Sequence, residues 1–426
     1  MTRVPPATTT DAGPRSSPAW ALAVVAASTL LTMGVWFSAT AVVPRLEVAW
    51  GLGSGGAAAL TIAVQVGFVL GAVGSAVLGL ADALPGRALM AAGALGAAAC
   101  TAGLLLADGL ALAVPLRLLT GVCLALFYPV ALKEVSAWFL RGRGVALGLM
   151  IGALTLGSAL PHLVGGLAGG GGGAEAAGPD WRVVVGVTSA LAVAGGLLLA
   201  AVRGEGPHAV ARGPVSLGAG FRALSRRDVL LADLGYVGHM WELYAMWAGV
   251  GAFLLALPQV AARPDAAAYA GVLAFACIGV GALGCLLGGV LGDRWGRPRA
   301  ALLSLVCSGG AALVLAASYP VAPLGVVVAL CAFWGFWVIA DSAQFSAMVT
   351  ESAPPGSVGG ALSVQLALGY ATTTLTLWLV PALVDAVSWR LALVVLALGP
   401  AVGAAAMVAA ERGRGSAQPS AATAAS

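Results

Sequence analysis

The chain has 426 residues, 60% of them hydrophobic and 9% charged, with a net charge of +4 and a mean hydropathy of +0.98. A soluble globular chain carries about 25% charged and 45–50% apolar residues, so no soluble core could hide this much apolar surface and lipid must be the solvent for most of it. The small positive excess does not point to nucleic acid, and no nucleic-acid partner is expected; its distribution along the chain is what informs.

The opening segment is rich in Pro, Thr and Ser, carries Arg3 and Arg15, and has no apolar core or cleavage site. Residues 1–18 therefore read as a disordered cytoplasmic tail rather than a signal peptide. Apolar runs of about 20 residues, the length of a membrane span, then fall near 20–43, 57–80, 88–107, 110–138, 144–168 and 181–202. A polar stretch, 203–228, reads as a cytoplasmic linker. Six more runs follow near 229–257, 267–291, 300–318, 322–348, 359–383 and 390–410, and 411–426 reads as a second disordered cytoplasmic tail. Helices satisfy their own backbone in lipid, so the expectation is an all-α polytopic protein with twelve transmembrane helices in two six-helix bundles, 19–202 and 229–410.

Orientation follows from Lys and Arg. Sixteen of them lie on the side shared by both termini, four (Arg45, Arg182, Arg263, Arg390) lie opposite, and Arg117 falls inside a span. This bias places both termini in the cytoplasm, and the expected location is the cell's inner (plasma) membrane. The halves also echo each other. Trp181-Arg182 opens the sixth span and Trp389-Arg390 the twelfth; Glu134 closes the fourth as Glu351 closes the tenth. A six-helix unit used twice in parallel is one of the known transporter architectures.

All six cysteines (Cys100, Cys123, Cys277, Cys285, Cys307, Cys331) lie in apolar runs, so they read as small core residues rather than a disulfide framework or metal cluster. No phosphate loop, zinc spacing or nucleophile elbow is present, and neither catalysis nor a cofactor or metal is expected.

The sharpest motif is Gly289-Val290-Leu291-Gly292-Asp293-Arg294-Trp295-Gly296-Arg297-Pro298-Arg299. It resembles the cytoplasmic loop motif of the major facilitator superfamily, Gly-x-x-x-Asp-Arg-x-Gly-Arg-x-Arg. An ordinary positive loop explains its arginines but not their order. The resemblance implies a twelve-helix fold and a charge latch at a cytoplasmic gate, with Gly289, Asp293, Arg294, Gly296 and Arg297 as members. The corresponding first-half loop, Asp82-Ala83-Leu84-Pro85-Gly86-Arg87, is degraded, leaving Asp82 and Arg87 as a reduced latch. Glu134 and Arg141 resemble a further gate pair, with Glu351 as the repeat of Glu134; the plain reading is a charge pair at a helix end. Arg117-Leu118-Leu119-Thr120-Gly121 is similar to the superfamily's Arg-x-x-x-Gly motif, linked with proton coupling. The competing reading is an arginine whose long stem snorkels to the interface. The glycines around Pro161 and His162 approach an antiporter motif, but the spacing fails.

The resemblance implies that spans one, four, seven and ten line a central cavity. Helical spacing puts His239, Glu242 and Met246 on one face of span seven, Trp334, Trp337 and Asp341 together on span ten, and Arg117 and Tyr128 on span four. Trp36 and Thr32 represent span one, and Trp241 lies beside Glu242. A carboxylate near the middle of a span is costly and needs a reason. Glu242 is the first proton-coupling candidate and Asp341 the second, with Arg117 and His239 as modulators; the plain reading pairs an acid with Arg117 as structural partners. The tryptophans beside an acid suit an amphipathic or cationic solute, or simple packing.

Three functions stay open at this point. The first is proton-coupled alternating-access transport of a small organic solute, with export of an amphipathic compound ahead. The second is uptake or exchange of a small organic anion, and the third a non-transporting sensor with the transporter fold. The expected partners are a small-molecule substrate, protons and the lipid bilayer, with the monomer as the functional unit.

Overall fold

The computed structural model describes residues 16–417 apart from 140–141, 169–179, 203, 205, 209–215 and 355; the side chains of 54, 81, 82, 143 and 414–417 also lie outside the description. Twelve membrane-scale helices follow in order. They are α1 (Pro18–Met33), α2 (Ser54–Val77), α3 (Gly86–Ala102), α4 (Leu110–Trp138), α5 (Arg143–Ala168) and α6 (Trp181–Leu198). Then come α7 (Arg227–Leu255), α8 (Ala266–Trp295), α9 (Arg297–Ser318), α10 (Leu324–Ser352), α11 (Val358–Ala386) and α12 (Trp389–Gly413, helical to Ala417). Ten of them meet a length-and-hydropathy criterion for crossing a membrane. The other two are the short α1 and α7, which carries Asp233 and Glu242.

The first span departs from expectation. The apolar run 20–43 predicts one continuous helix, but α1 stops at Met33, and the chain turns through Gly34 to Ala39 before a short helix, Val43–Trp50. Apolar composition says only that a segment belongs in lipid; a helix can break inside it where another side chain satisfies the freed carbonyls. The tail expected from 411 is likewise shorter, because α12 runs on and Arg299 Nη2 meets Glu411 Oε1 at 2.6 Å. The linker holds a helix, Leu217–Ala223, started by the Ser216 side chain accepting from the Ala219 amide. Residues 1–15 and 418–426 and part of 203–228 lie outside the described residues.

Within the first six helices, α4 packs on α2 and α3, α3 on α6, and α1 on α5 and α6. Among the last six, α7 packs on α11 and α12, and α9 on α10 and α12. The most extensive contacts between the sets are those of α5 with α8 and of α2 with α11. Small residues set these distances, as expected where lipid supplies no hydrophobic drive between helices. At the α2–α4 crossing Gly67 lies on the Leu118 backbone and Gly121 on the backbone of Val64 and Phe68, the latter so closely that an added Cβ would lie only 2.7 Å from the Phe68 nitrogen.

Candidate functional site

The break after α1 is held by Arg117 of α4. Its Nη1 donates to Val35 O at 2.8 Å and to Ser38 Oγ at 3.3 Å, its Nε donates to Leu60 O at 3.2 Å, and its Nη2 donates to Trp36 O. The side chain is wholly buried. Arg117 therefore neither snorkels to the interface nor pairs with Glu242 or Asp341. A planar five-donor fork suits this job. It satisfies the carbonyls that the end of a helix leaves open.

The acids expected on α7 and α10 come together, but inside the second set of helices. Glu242 Oε1 accepts a 2.7 Å hydrogen bond from Trp334 Nε1, with the Ser308 hydroxyl as a further neighbour. His239 Nδ1 lies 2.8 Å from Asp341 Oδ1. That approach is poorly aligned for a hydrogen bond, and Asp341 Oδ1 and His239 Nε2 have no hydrogen-bond partner. Asp341 sits where α10 is interrupted, between its segments Leu324–Val338 and Ser342–Ser352. All four side chains are buried, at 2% exposure or less, which is unusual for charge-bearing groups in a membrane.

The face of α7 that meets the first six helices is a different one. A helix turns about 100° per residue, so nine residues place two side chains on opposite faces. Glu242 is nine residues beyond Asp233. The stripe Asp233, Tyr236, Met240, Tyr244, Trp247 and Gly251, at helical spacing, looks away from Glu242. Its aromatic members form a seam with the other half. Trp36 lies 5.7 Å from Tyr244 and 5.9 Å from Tyr370 of α11, ring centre to ring centre, and 4.9 Å from Phe68 of α2. Phe68 is 4.8 Å from Tyr370, and Phe37 is 5.9 Å from both Tyr244 and Trp247. The hydroxyls of Tyr244 and Tyr370 are 3.0 Å apart. Tyr128 of α4 completes the group, near Tyr236, Tyr244 and Tyr370, and is half-buried.

Of the other cavity candidates, Trp36 and Tyr128 reach this seam. Thr32 does not; it faces Gly195 of α6. Trp241 turns to α12, donating from Nε1 to Val395 O at 3.0 Å. Met246 packs on Gly335 and, with Trp334, borders a small apolar gap within the second set. Trp337 meets the exposed Phe333 at a tilt and Phe336 edge-on. Apolar spans are apolar all round, so residue type did not reveal these directions. Tyr236, Tyr244 and Tyr370 were missed, as were Asp233 and its partner Gln365 of α11. The spacing of Asp233, Tyr236, Tyr244 and Trp247 along one face was the signal available in the sequence.

At the end of the bundle where α8 meets α9, the loop motif forms a knot. Gly296 takes φ +90°, a left-handed conformation that favours glycine, and so lets α9 start directly after α8. Arg297 Nη2 meets Asp293 Oδ1 at 3.0 Å, its Nη1 donates to Gln344 Oε1 at 3.1 Å, and its Nε lies 3.6 Å from Glu351 Oε1. Gln344 in turn donates to Gly288 O at 3.0 Å. Gly289 and Asp293 both lie against Gly144 at the start of α5, so the knot touches the other half. Arg294 is exposed. In the first half, Arg87 Nη1 donates to Val202 O, and the Glu134 carboxylate abuts Gly86 too closely for a Cβ. The Asp82 side chain and Arg141 lie outside the described residues. Arg297→Ala is expected to lower thermal stability only modestly, since each partly exposed ion pair contributes about 0.2–1 kcal/mol. The same change should lengthen the distance between spin labels on the facing ends of α5 and α8; an unchanged distance distribution would show that the knot does not hold them together.

At the opposite rim two carboxylates from the two halves approach each other. Partial burial, and then the charge of Asp385 at the end of α11, push Glu47 above the usual carboxylate range.

The family model of the Major Facilitator Superfamily matches residues 24–345. Among solved structures, the chain is similar to a D-xylose-proton symporter, with a TM-score of 0.71, 15% identity, and 92% of this chain and 97% of that one covered. It is also similar to a bacterial homologue of the human lysosomal transporter Spinster in its inward-facing, unoccupied conformation, with a TM-score of 0.69, 16% identity, and 94% and 98% covered. No curated protein matches the chain. At such identities the likenesses speak for the fold alone, while the family match covers most of the sequence. A twelve-helix bundle, the glycine-turned arginine knot and that match together place the chain in the Major Facilitator Superfamily, as a multi-pass membrane transporter of small molecules and not an enzyme.

Proposed function

We propose that the chain is a proton-linked carrier that exports a small amphipathic organic solute by alternating access. Two units, 19–202 and 229–410, rock about the aromatic seam, with both termini in the cytoplasm and the chain in the plasma membrane. The observation that carries the reading is the buried group Glu242, His239 and Asp341. It places three ionisable side chains near the middle of two membrane helices, with no Lys or Arg bound to any of them among the described residues. A carboxylate so placed can take up and release a proton as its surroundings change. Glu242 leans on helices that would move as one body, so protonation there would act on the packing of α7 against α9 and α10.

The arginine position favours the amphipathic solute over a small organic anion. An anion carrier needs a free cation in its site, and Arg117 is committed to backbone oxygens. The test is solute flux in proteoliposomes under an imposed pH gradient, with a panel of amphipathic compounds and small carboxylates. Glu242→Gln keeps an oxygen for Trp334 Nε1 while removing the titration. It should abolish the pH-driven component and leave thermal stability near wild type. Equal pH-driven flux in wild type and variant would sink the role of Glu242, and solute binding without flux in any direction would favour a sensor.

A further inference from the structure

One buried acid has no part in the group around Glu242. Asp233 lies in the second turn of α7, on the face opposite Glu242, and is 3% exposed. Its Oδ1 accepts a 2.8 Å hydrogen bond from Gln365 Nε2, and Gln365 Oε1 accepts in turn from Ser346 Oγ at 3.1 Å. The other carboxylate oxygen, Oδ2, has no partner. This is a fixed carboxylate with one oxygen left open, and an unpaired buried polar atom calls for an explanation.

What lies beside it is aromatic. Tyr236 stands one turn above Asp233 on the same face of α7; Tyr128, Tyr244 and Tyr370 follow, and Trp36 closes the column. The faces of Tyr and Trp attract cations, most strongly out of water. Further up the seam, the indole N–H of Trp36 and both amide atoms of Gln65 are buried without partners. These offer hydrogen bonds to a polar substituent. Arg117, the one fully buried Lys or Arg among the described residues of the first half, is held on carbonyls and the Ser38 hydroxyl. The column thus has a carboxyl group at one end, aromatic ring surface along its length, and no Lys or Arg bound to that carboxyl among the described residues.

We propose that Asp233 and the tyrosines above it are the recognition site for an amphipathic organic cation. The ammonium head sits at Asp233 Oδ2 and Tyr236, and the apolar body replaces ring–ring contacts among Tyr244, Tyr370 and Trp36. Gln365 is a positioning residue that aims the carboxylate. The inference rests on the transport reading for its biological use, but it concerns binding and is tested as binding.

The experiment uses the full chain in lipid nanodiscs, with empty nanodiscs subtracted, and three probes of similar shape. These are benzyltrimethylammonium, its uncharged carbon isostere neopentylbenzene, and benzoate. Binding is read by calorimetry and by tryptophan fluorescence. The wild type should bind the ammonium most tightly. Asp233→Asn should weaken it by about tenfold, equivalent to about 1.4 kcal/mol, and bring it level with the isostere. Tyr370→Phe keeps the ring and should change affinity little, whereas Tyr370→Ala should weaken it by about threefold to tenfold. Should Asp233→Asn fail to fold, the order of the three probes on the wild type decides. Equal binding of ammonium and isostere, preference for benzoate, unchanged affinity in a folded Asp233→Asn, or no binding of the ammonium overturns the proposal. Charge-selective binding without pH-driven flux would sink the transport reading and leave this one standing. Flux of a neutral or anionic solute without ammonium binding would do the reverse.

Discussion

Arg117→Ala is expected to unfold the first half of the protein at temperatures the wild type survives. The change removes all the guanidinium donations at the break after α1; the Val35 carbonyl keeps the Ser38 hydroxyl at 3.0 Å, while those of Trp36 and Leu60 lose their side-chain partner, in a region of almost no exposure. A single hydrogen bond from a charged donor contributes about 1.5–3 kcal/mol. Removing one member of a buried charged network destabilises by about 3–5 kcal/mol. Arg117→Lys should recover little of this, because a point-like ammonium cannot reach three carbonyls and a hydroxyl spread over the guanidinium fork. The measurement is the thermal melt in detergent, followed by size-exclusion profile and by accessibility of a cysteine placed at Ser38. If Arg117→Ala melts with the wild type yet loses pH-driven flux, the arginine serves coupling rather than structure, and the α1 break does not depend on it.

Gly121→Ala is expected to be nearly as severe, although it adds one methyl group. The new Cβ would meet the Phe68 nitrogen at 2.7 Å and the Val64 carbonyl carbon at 2.9 Å. Those are backbone atoms, so no side chain can swing aside. The crossing is also reciprocal, because Gly67 of α2 rests on the backbone of Leu118. Overpacking a core costs about 1–3 kcal/mol, and a clash between two backbones belongs at the top of that range. The control is Gly310→Ala in α9, where a Cβ meets nothing within 4 Å. That variant should melt with the wild type. A Gly121→Ala protein as stable as Gly310→Ala would show that α2 and α4 can separate freely.

These two residues are the ends of one motif, and they show where reading the chain alone stops. Arg117 and Gly121 resemble a motif linked with proton coupling, and the spacing is present in the sequence. In the fold, the glycine lets α4 touch α2, and the arginine uses that closeness to reach the end of α1 and the carbonyl of Leu60 on α2. Neither partner is near in sequence. The knot at Arg297 was more legible, since Asp293, Gly296 and Arg297 lie within five residues and their geometry is set by one tight turn. Gln344, a long-range member beside Glu351, was not.

By itself the sequence determined how many times the chain enters lipid, because hydropathy over about 20 residues is a local quantity. It also determined that acids lie deep in α7 and α10, and that a glycine-turned arginine loop joins α8 to α9. Only the tertiary structure decided which face of each helix looks to the centre. Glu242 and Asp233 stand on one helix, are equally buried, and differ by half a turn in direction. In a soluble protein the polar face of a helix would mark its outside. In α7 most positions on every side are apolar and packed against other helices, so composition carries no sign of direction. The neighbours supply it. Gly399 and Val395 of α12 receive Trp241, Trp334 of α10 receives Glu242, and Trp36 and Tyr370 receive Tyr244. With those contacts fixed, Asp233 is the acid left on the face that meets the other half.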